Sequence, residues 1–136
     1  MYAKEKKEKF LGYANEIKNL GYKVFVTTRE MSNYGWIVND KDEIGYFQLG
    51  DYGFGIKFSC IHHPMNEYGS GFSVHDDSND YDTEFSRESV DRVFAKYPGW
   101  MLSRPHWEQK LLGSIKKYSA KEYLENYWDK ANIVEI

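Results

Sequence analysis

The sequence contains little cysteine and proline, and it has no long apolar run. Only one of the 136 residues is cysteine and only three are proline. A single thiol, Cys60, excludes an internal disulfide and leaves no companion cysteine for a zinc or iron–sulfur site. No window approaches the roughly eighteen apolar residues of a membrane-spanning helix, and no apolar signal-peptide core follows the N-terminus. These absences predict a soluble, cytoplasmic protein with no membrane association.

The common catalytic motifs are also missing. The sequence has no GxSxG elbow, no phosphate-binding P-loop and no dinucleotide-binding glycine pattern. An EF-hand reading of the acidic run that starts at Asp76 fails, because Tyr81 stands where the loop needs glycine and Arg87 where it needs glutamate. The sequence therefore favours a protein that is not an enzyme.

Charge is distributed unevenly along the chain. Residues 30–86 hold eleven acidic side chains and two lysines, whereas residues 1–29 and 87–136 are mildly basic, and the net charge is −3. An acidic central region repels phosphate, which argues against a nucleic-acid groove.

Size and composition predict one domain over residues 1–136, long enough to bury a core. Aromatic side chains make up 18% of the residues, so we expect an aromatic-rich core. Twelve tyrosines and four tryptophans exceed what such a core requires. We therefore expect exposed or half-exposed aromatics among Tyr34, Trp36, Tyr46, Tyr52, Tyr68 and Tyr81.

The N-terminal region predicts a helix over residues 3–20. Phe10, Ala14 and Ile17 fall on one helical face. The charged first half is expected to be a solvated, fraying end, and Gly21 stands where a left-handed cap residue is expected.

After Gly21 the apolar period changes to that of strands. Short turns favour antiparallel neighbours. The predicted strands are residues 22–27, 34–39, 43–49, 54–62 and 71–75. In the fourth strand, alternation places Phe54, Ile56, Phe58, Cys60 and His62 on the core face.

The C-terminal third predicts helices over residues 87–97, about 106–117 and 120–130. Ser119 and Glu122 form a capping box for the last of them. The tail Ile133–Ile136 either adds a short edge strand or hangs loose.

These elements define an α+β fold, with an N-terminal helix, a five-stranded antiparallel meander, and two or three C-terminal helices packed on one face. An N-terminal helix followed by an antiparallel meander resembles the cystatin-like class at the level of fold only. A resemblance of this kind implies nothing about activity.

Three histidines near the fourth and fifth strands suggest one possible chemistry. A hairpin brings His63 and His75 to one outward face, with Asp77 on the same parity, and two imidazoles with a carboxylate suit a divalent transition metal. A metal-activated water would then attack an ester or amide. The alternative is that the third histidine, His62, caps the core strand, while His63 and His75 are ordinary surface residues at strand ends.

The interpretation favoured by the sequence is a small binding or inhibitory protein. It would engage a protein partner with a basic surface through an acidic, aromatic-bearing surface. The residues predicted to form that surface are Tyr68, Asp76, Asp77, Asp80, Tyr81 and Asp82. The metal site and a small-ligand cavity between sheet and helices remain the alternatives.

Overall fold

A computed structural model describes residues 2–50, 52–60, 82–95, 105, 107 and 119–136 of the chain. In chain order its elements are helix α1 (Ala3–Asn19), strands β1 (Lys23–Thr27), β2 (Tyr34–Val38), β3 (Ile44–Leu49) and β4 (Ile56–Cys60), helices α2 (Arg87–Ala95) and α3 (Ala120–Glu125), a 3-10 turn (Lys130–Asn132) and strand β5 (Ile133–Glu135). No helix within these ranges is both long and apolar enough to cross a bilayer.

Helix α1 follows the predicted periodicity closely. Phe10, Ala14 and Ile17 are completely buried on one face. The helix stops before Gly21, whose φ of 106° is a conformation that glycine adopts without steric cost. The α1 helix and its end are therefore confirmed.

The five strands form one antiparallel sheet in the order β4-β3-β2-β1-β5. Strands β1 to β4 are the predicted meander. The fifth strand described is the C-terminal β5, which pairs with β1 so that Val26 lies opposite Val134. The tail thus forms an edge strand, while the predicted strand over residues 71–75 lies outside the described residues.

Both faces of the sheet carry a buried cluster. The first is built on α1, α2 and one set of strand residues, and it includes Phe10, Ala14, Ile17, Val24, Ile37, Phe47, Ile56, Phe58 and Val90. The second lies on the opposite parity of the strands and consists of Trp36, Val38, Ile44, Ala120 and Tyr123. Since α2 contributes to the first cluster and α3 to the second, packing of the C-terminal helices on one face is not confirmed.

One residue that was predicted to lie in the core is exposed instead. Phe54 is 61% exposed, whereas Ile56 and Phe58 are buried as expected. The cause is Gly55, whose φ of 76° breaks the extended backbone before β4 begins. Alternation of side chains holds only within an uninterrupted strand, so it did not extend back to Phe54.

The C-terminal segment is fixed by a cap and an ion pair. Oγ of Ser119 accepts a hydrogen bond from the Glu122 N–H at 3.2 Å, as the capping box predicts. The helix ends at Glu125, earlier than expected. Beyond it, the guanidinium of Arg29 donates two hydrogen bonds to Asp129, at 2.6 and 3.0 Å, and ties this segment to the β1–β2 turn.

Candidate functional site

Of the residues predicted to bind a partner or a metal, one lies within the described ranges. That residue is Asp82. The others fall outside the described residues, and their assignments remain predictions: His63, Tyr68, His75, Asp76, Asp77, Asp80 and Tyr81.

Asp82 is joined to the sheet by its backbone. The Ile56 N–H donates to the Asp82 carbonyl at 2.8 Å, and the Asp82 N–H donates to the Ile56 carbonyl at 2.9 Å. This isolated antiparallel bridge lies at the start of β4, and the Asp82 side chain is exposed. The end of the acidic run is therefore anchored at the sheet edge, close in the structure to the turn that leads into β4.

That turn presents two large aromatic side chains to solvent. Tyr52 is 85% exposed and Phe54 is 61% exposed. The turn is closed by a hydrogen bond of 3.0 Å from the Gly50 N–H to the Gly55 carbonyl, and the Tyr13 hydroxyl accepts a bond of 3.1 Å from the Gly55 N–H. We call Tyr52, Phe54 and Asp82 the turn surface.

The ring of Phe54 already holds a cation. The ammonium of Lys9 lies 4.0 Å from the ring centroid, within the range of a cation–π contact. The contact shows that one face of this ring is open to an ammonium or guanidinium group. It also places a positive charge beside the turn surface.

A cleft of about 430 Å³ lies at the same end of the sheet. It is bounded by the first turns of α1, the β1–β2 turn and the end of β3. The lining residues that carry polar or large side chains include Lys6, Glu30, Met31, Asn33, Tyr34, Tyr46 and Gln48. The sequence suggested a small-ligand cavity between sheet and helices, but it did not identify these lining residues, because the cleft is formed by segments far apart along the chain.

One wall of the cleft is aromatic and amide in character. The rings of Tyr34 and Tyr46 pack with centroids 5.9 Å apart, and the Tyr46 hydroxyl lies 3.3 Å from Oε1 of Gln48, to which it donates. Beside this wall, Oδ1 of Asn33 is buried and accepts no hydrogen bond from the part of the chain that the structure describes.

Lys7 holds α1 against the β1–β2 turn beside the cleft. Its ammonium donates to the Ser32 carbonyl at 2.6 Å and to the Thr27 carbonyl at 3.3 Å. Burial lowers the pKa of Lys7, and the nearby carboxylate of Glu30 opposes this shift. The first half of α1 is therefore attached to the sheet, which corrects the expectation of a solvated, fraying end.

A second group of charges, at the opposite end of the sheet, is paired internally. The Tyr22 hydroxyl donates to the Asp91 carboxylate, and Nη1 of Arg87 donates to the Leu20 carbonyl at 3.1 Å. The Arg87 guanidinium also lies over the Tyr22 ring, 4.9 Å from its centroid. Burial raises the pKa of Tyr22. These contacts anchor α2 to the end of α1, so they explain structure rather than binding.

The aromatic surplus is partly accounted for by the second cluster. Trp36 is 1% exposed and contacts Tyr127 edge to face at 5.0 Å, which corrects its assignment as an exposed aromatic. Tyr34 and Tyr46 are half-buried, as expected. Burial raises the pKa of Tyr123 to about 12.

No group of three or more histidine, cysteine, aspartate or glutamate side chains able to hold a metal occurs within the described ranges. The predicted set of His63, His75 and Asp77 lies elsewhere in the chain, so the metal hypothesis stays a prediction.

Comparisons with known proteins add no assignment. No family model matches the chain, no curated protein is detectably similar to it, and no solved structure resembles its fold at a significant level. The turn surface and the cleft are therefore the features from which a function is inferred.

Proposed function

We propose that this protein is a small, non-enzymatic binding or inhibitory protein that engages a protein partner with a basic surface. The contact would use the turn surface together with the acidic residues before Asp82. The residues of that run and of the preceding loop assigned to the contact are Tyr68, Asp76, Asp77, Asp80 and Tyr81. The observation that carries the proposal is the backbone bridge between Ile56 and Asp82, which anchors the end of the acidic run next to exposed aromatics.

Aromatic side chains would supply the affinity. Tyr and Trp are enriched among the residues that dominate binding energy, and large exposed rings that become buried on contact act as anchors. Tyr52 and Phe54 lie two residues apart on a turn closed by its own hydrogen bonds. A turn held in this way loses little conformational entropy when it binds.

Acidic side chains would supply the choice of partner. Carboxylates steer a basic partner during encounter and disfavour an acidic one. Lys9 would work against this preference, because its ammonium already occupies a face of Phe54. A basic side chain of the partner would therefore have to bind the other face of the ring or displace Lys9.

The test is affinity capture followed by measured binding of the captured partner. Two variants alter the proposed contact, namely the charge reversal Asp77→Lys/Asp80→Lys/Asp82→Lys and the truncation Tyr52→Ala/Phe54→Ala. Each should weaken binding by about tenfold or more, which corresponds to about 1.4 kcal/mol. The loss for the charge variant should shrink at high salt, because exposed charges are screened.

Matched controls come from the same chain. Glu16→Lys reverses an exposed charge on α1, and Trp128→Ala removes a ring of the C-terminal segment that is 67% exposed. Both should leave affinity unchanged. If every captured partner binds the charge and turn variants as tightly as the unaltered protein, while all variants remain folded by circular dichroism, the proposal is wrong.

A further inference from the structure

The cleft beside α1 contains two opposite charges that do not pair with each other. Lys6 and Glu30 both line it, and no ion pair joins them. Neither side chain forms a hydrogen bond or ion pair among the described residues, and the electrostatic contact of Glu30 with the Lys7 ammonium is not a close ion pair. Oppositely charged groups that share a concave site and remain separate are available to a ligand that carries both charges.

The remaining walls suit an apolar or aromatic group. Met31 is 81% exposed at the rim, and the phenol rings of Tyr34 and Tyr46 form a packed pair. Gln48 adds an amide that can donate as well as accept. A volume of about 430 Å³ is within the range of small-molecule sites, which runs from about 300 to 1,000 Å³.

Contacts within the protein fix the shape of the cleft. Lys7 joins α1 to the Ser32 carbonyl, and the Leu49 N–H donates to the Asn33 carbonyl at 2.9 Å. Arg29 pairs with Asp129 on the other side of the same turn. Walls fixed in advance lower the entropic cost of binding.

We propose that this cleft binds a small zwitterion of the class of free α-amino acids with an aromatic side chain. The ligand carboxylate would pair with the Lys6 ammonium, and its ammonium group with the Glu30 carboxylate. The aromatic side chain would lie against Tyr34, Tyr46 and Met31. A ligand with one charge satisfies only one of the two protein groups, so the zwitterion should bind more tightly than either singly charged analogue.

Three probes of matched size separate these contributions. Phenylalanine carries both charges, phenethylamine lacks the carboxylate, and 3-phenylpropionate lacks the ammonium. Titration followed by ¹H–¹⁵N NMR should show phenylalanine shifting the amides of residues 30–34 and 46–50. Each analogue should bind about tenfold or more weakly, as expected for loss of one charge-assisted contact.

Two variants assign each charge to its protein group. Lys6→Met should bind phenylalanine no better than phenethylamine, and Glu30→Gln should bind it no better than 3-phenylpropionate. The matched controls Lys18→Met and Glu16→Gln alter exposed charges near the other end of α1, and they should leave the preference for the zwitterion intact.

The proposal is overturned if phenylalanine shifts none of the cleft amides at about 10 mM, a level that would detect even millimolar binding. It is equally overturned if the three probes bind alike, or if Lys6→Met and Glu30→Gln keep the full preference. The three probes are compared on the unaltered protein. That comparison decides the proposal even if a variant fails to fold. Failure here would leave the turn surface untouched, because its test uses other residues.

Discussion

Gly35 provides a sharp test of how the sheet and α1 pack together. It lies in β2 opposite Val26 on one side and Phe47 on the other. The Phe47 ring occupies the space where a side chain of residue 35 would stand, and it stacks on Phe10 of α1 with centroids 5.4 Å apart. We predict that Gly35→Ala strongly destabilises the protein.

The magnitude follows from the contacts that a methyl group would make. At Gly35 it would overlap the backbone carbonyl oxygen of Phe25 and lie 2.8 Å from Cζ of Phe47. A backbone oxygen cannot move aside as a flexible side chain can, so the strands must separate locally. Overpacking of this kind costs about 1–3 kcal/mol, and we expect the upper part of that range.

Gly12 supplies the matched control for the same substitution. It lies on the exposed side of α1, and an added methyl group would meet no atom within 4 Å. Alanine in a helix interior is favoured over glycine by about 0.5–1 kcal/mol. Gly12→Ala should therefore stabilise the protein, so one chemical change has opposite effects at two positions.

Urea denaturation followed by circular dichroism measures both variants. For a chain of this size each kcal/mol moves the melting temperature by about 3–4 °C, so thermal scans should agree in sign. A Gly35→Ala variant as stable as the unaltered protein would refute the packing of Phe47 over β2. A destabilised Gly12→Ala variant would refute the exposed position of Gly12 on α1.

Two further predictions concern the C-terminal segment. Ser119→Ala should lower the free energy of unfolding by about 1 kcal/mol through loss of the α3 cap, and Ser119→Asp should restore most of it, as read from urea midpoints. The hydrogen bonds from Arg29, and then from Asn132, hold the pKa of Asp129 below its usual 3.8. A lowered folded-state pKa contributes stability above the unfolded-state value that is lost as pH falls through the folded one. Asp129→Asn should thus be less stable than the unaltered protein at neutral pH. The free energies of unfolding of the two proteins should converge as the pH falls below about 3.8 and Asp129 becomes protonated in the folded state. Parallel profiles of stability against pH would contradict this.

Local signals in the sequence predicted much of the fold. The positions of Phe10, Ala14 and Ile17 fixed the buried face of α1, and Gly21 marked its end. The Ser119 capping box located the start of α3 to the residue. These features depend on neighbours within one or two helical turns, which is why they can be read without a structure.

Features set by contacts between distant segments could not be read in this way. The pairing of β5 with β1 joins residues about one hundred positions apart, and no feature of the tail sequence identifies the strand with which it pairs. Trp36 was expected at the surface because the sheet was assumed to bury one face. In the structure, α3 covers the other face and Trp36 lies within the second cluster.

The cleft was missed for the same reason. Lys6 belongs to a run of alternating charges, a pattern that ordinarily marks a solvated helix face. Glu30 belongs to a short turn after β1. Only the folded chain brings both charges to one concave surface, since Lys7 ties α1 to that turn.

Helices that cover both faces of a sheet limit where a small protein of this kind can bind another molecule. Here α1 and α2 contribute to one buried cluster and α3 to the other, so helices pack on both faces of the described sheet. At one end, Tyr22, Arg87 and Asp91 pair among themselves. At the other, the charges of Lys6 and Glu30 stay separate, and Tyr52 and Phe54 face solvent. The separate charges and the exposed rings at the second end are the reason for placing both proposed contacts there.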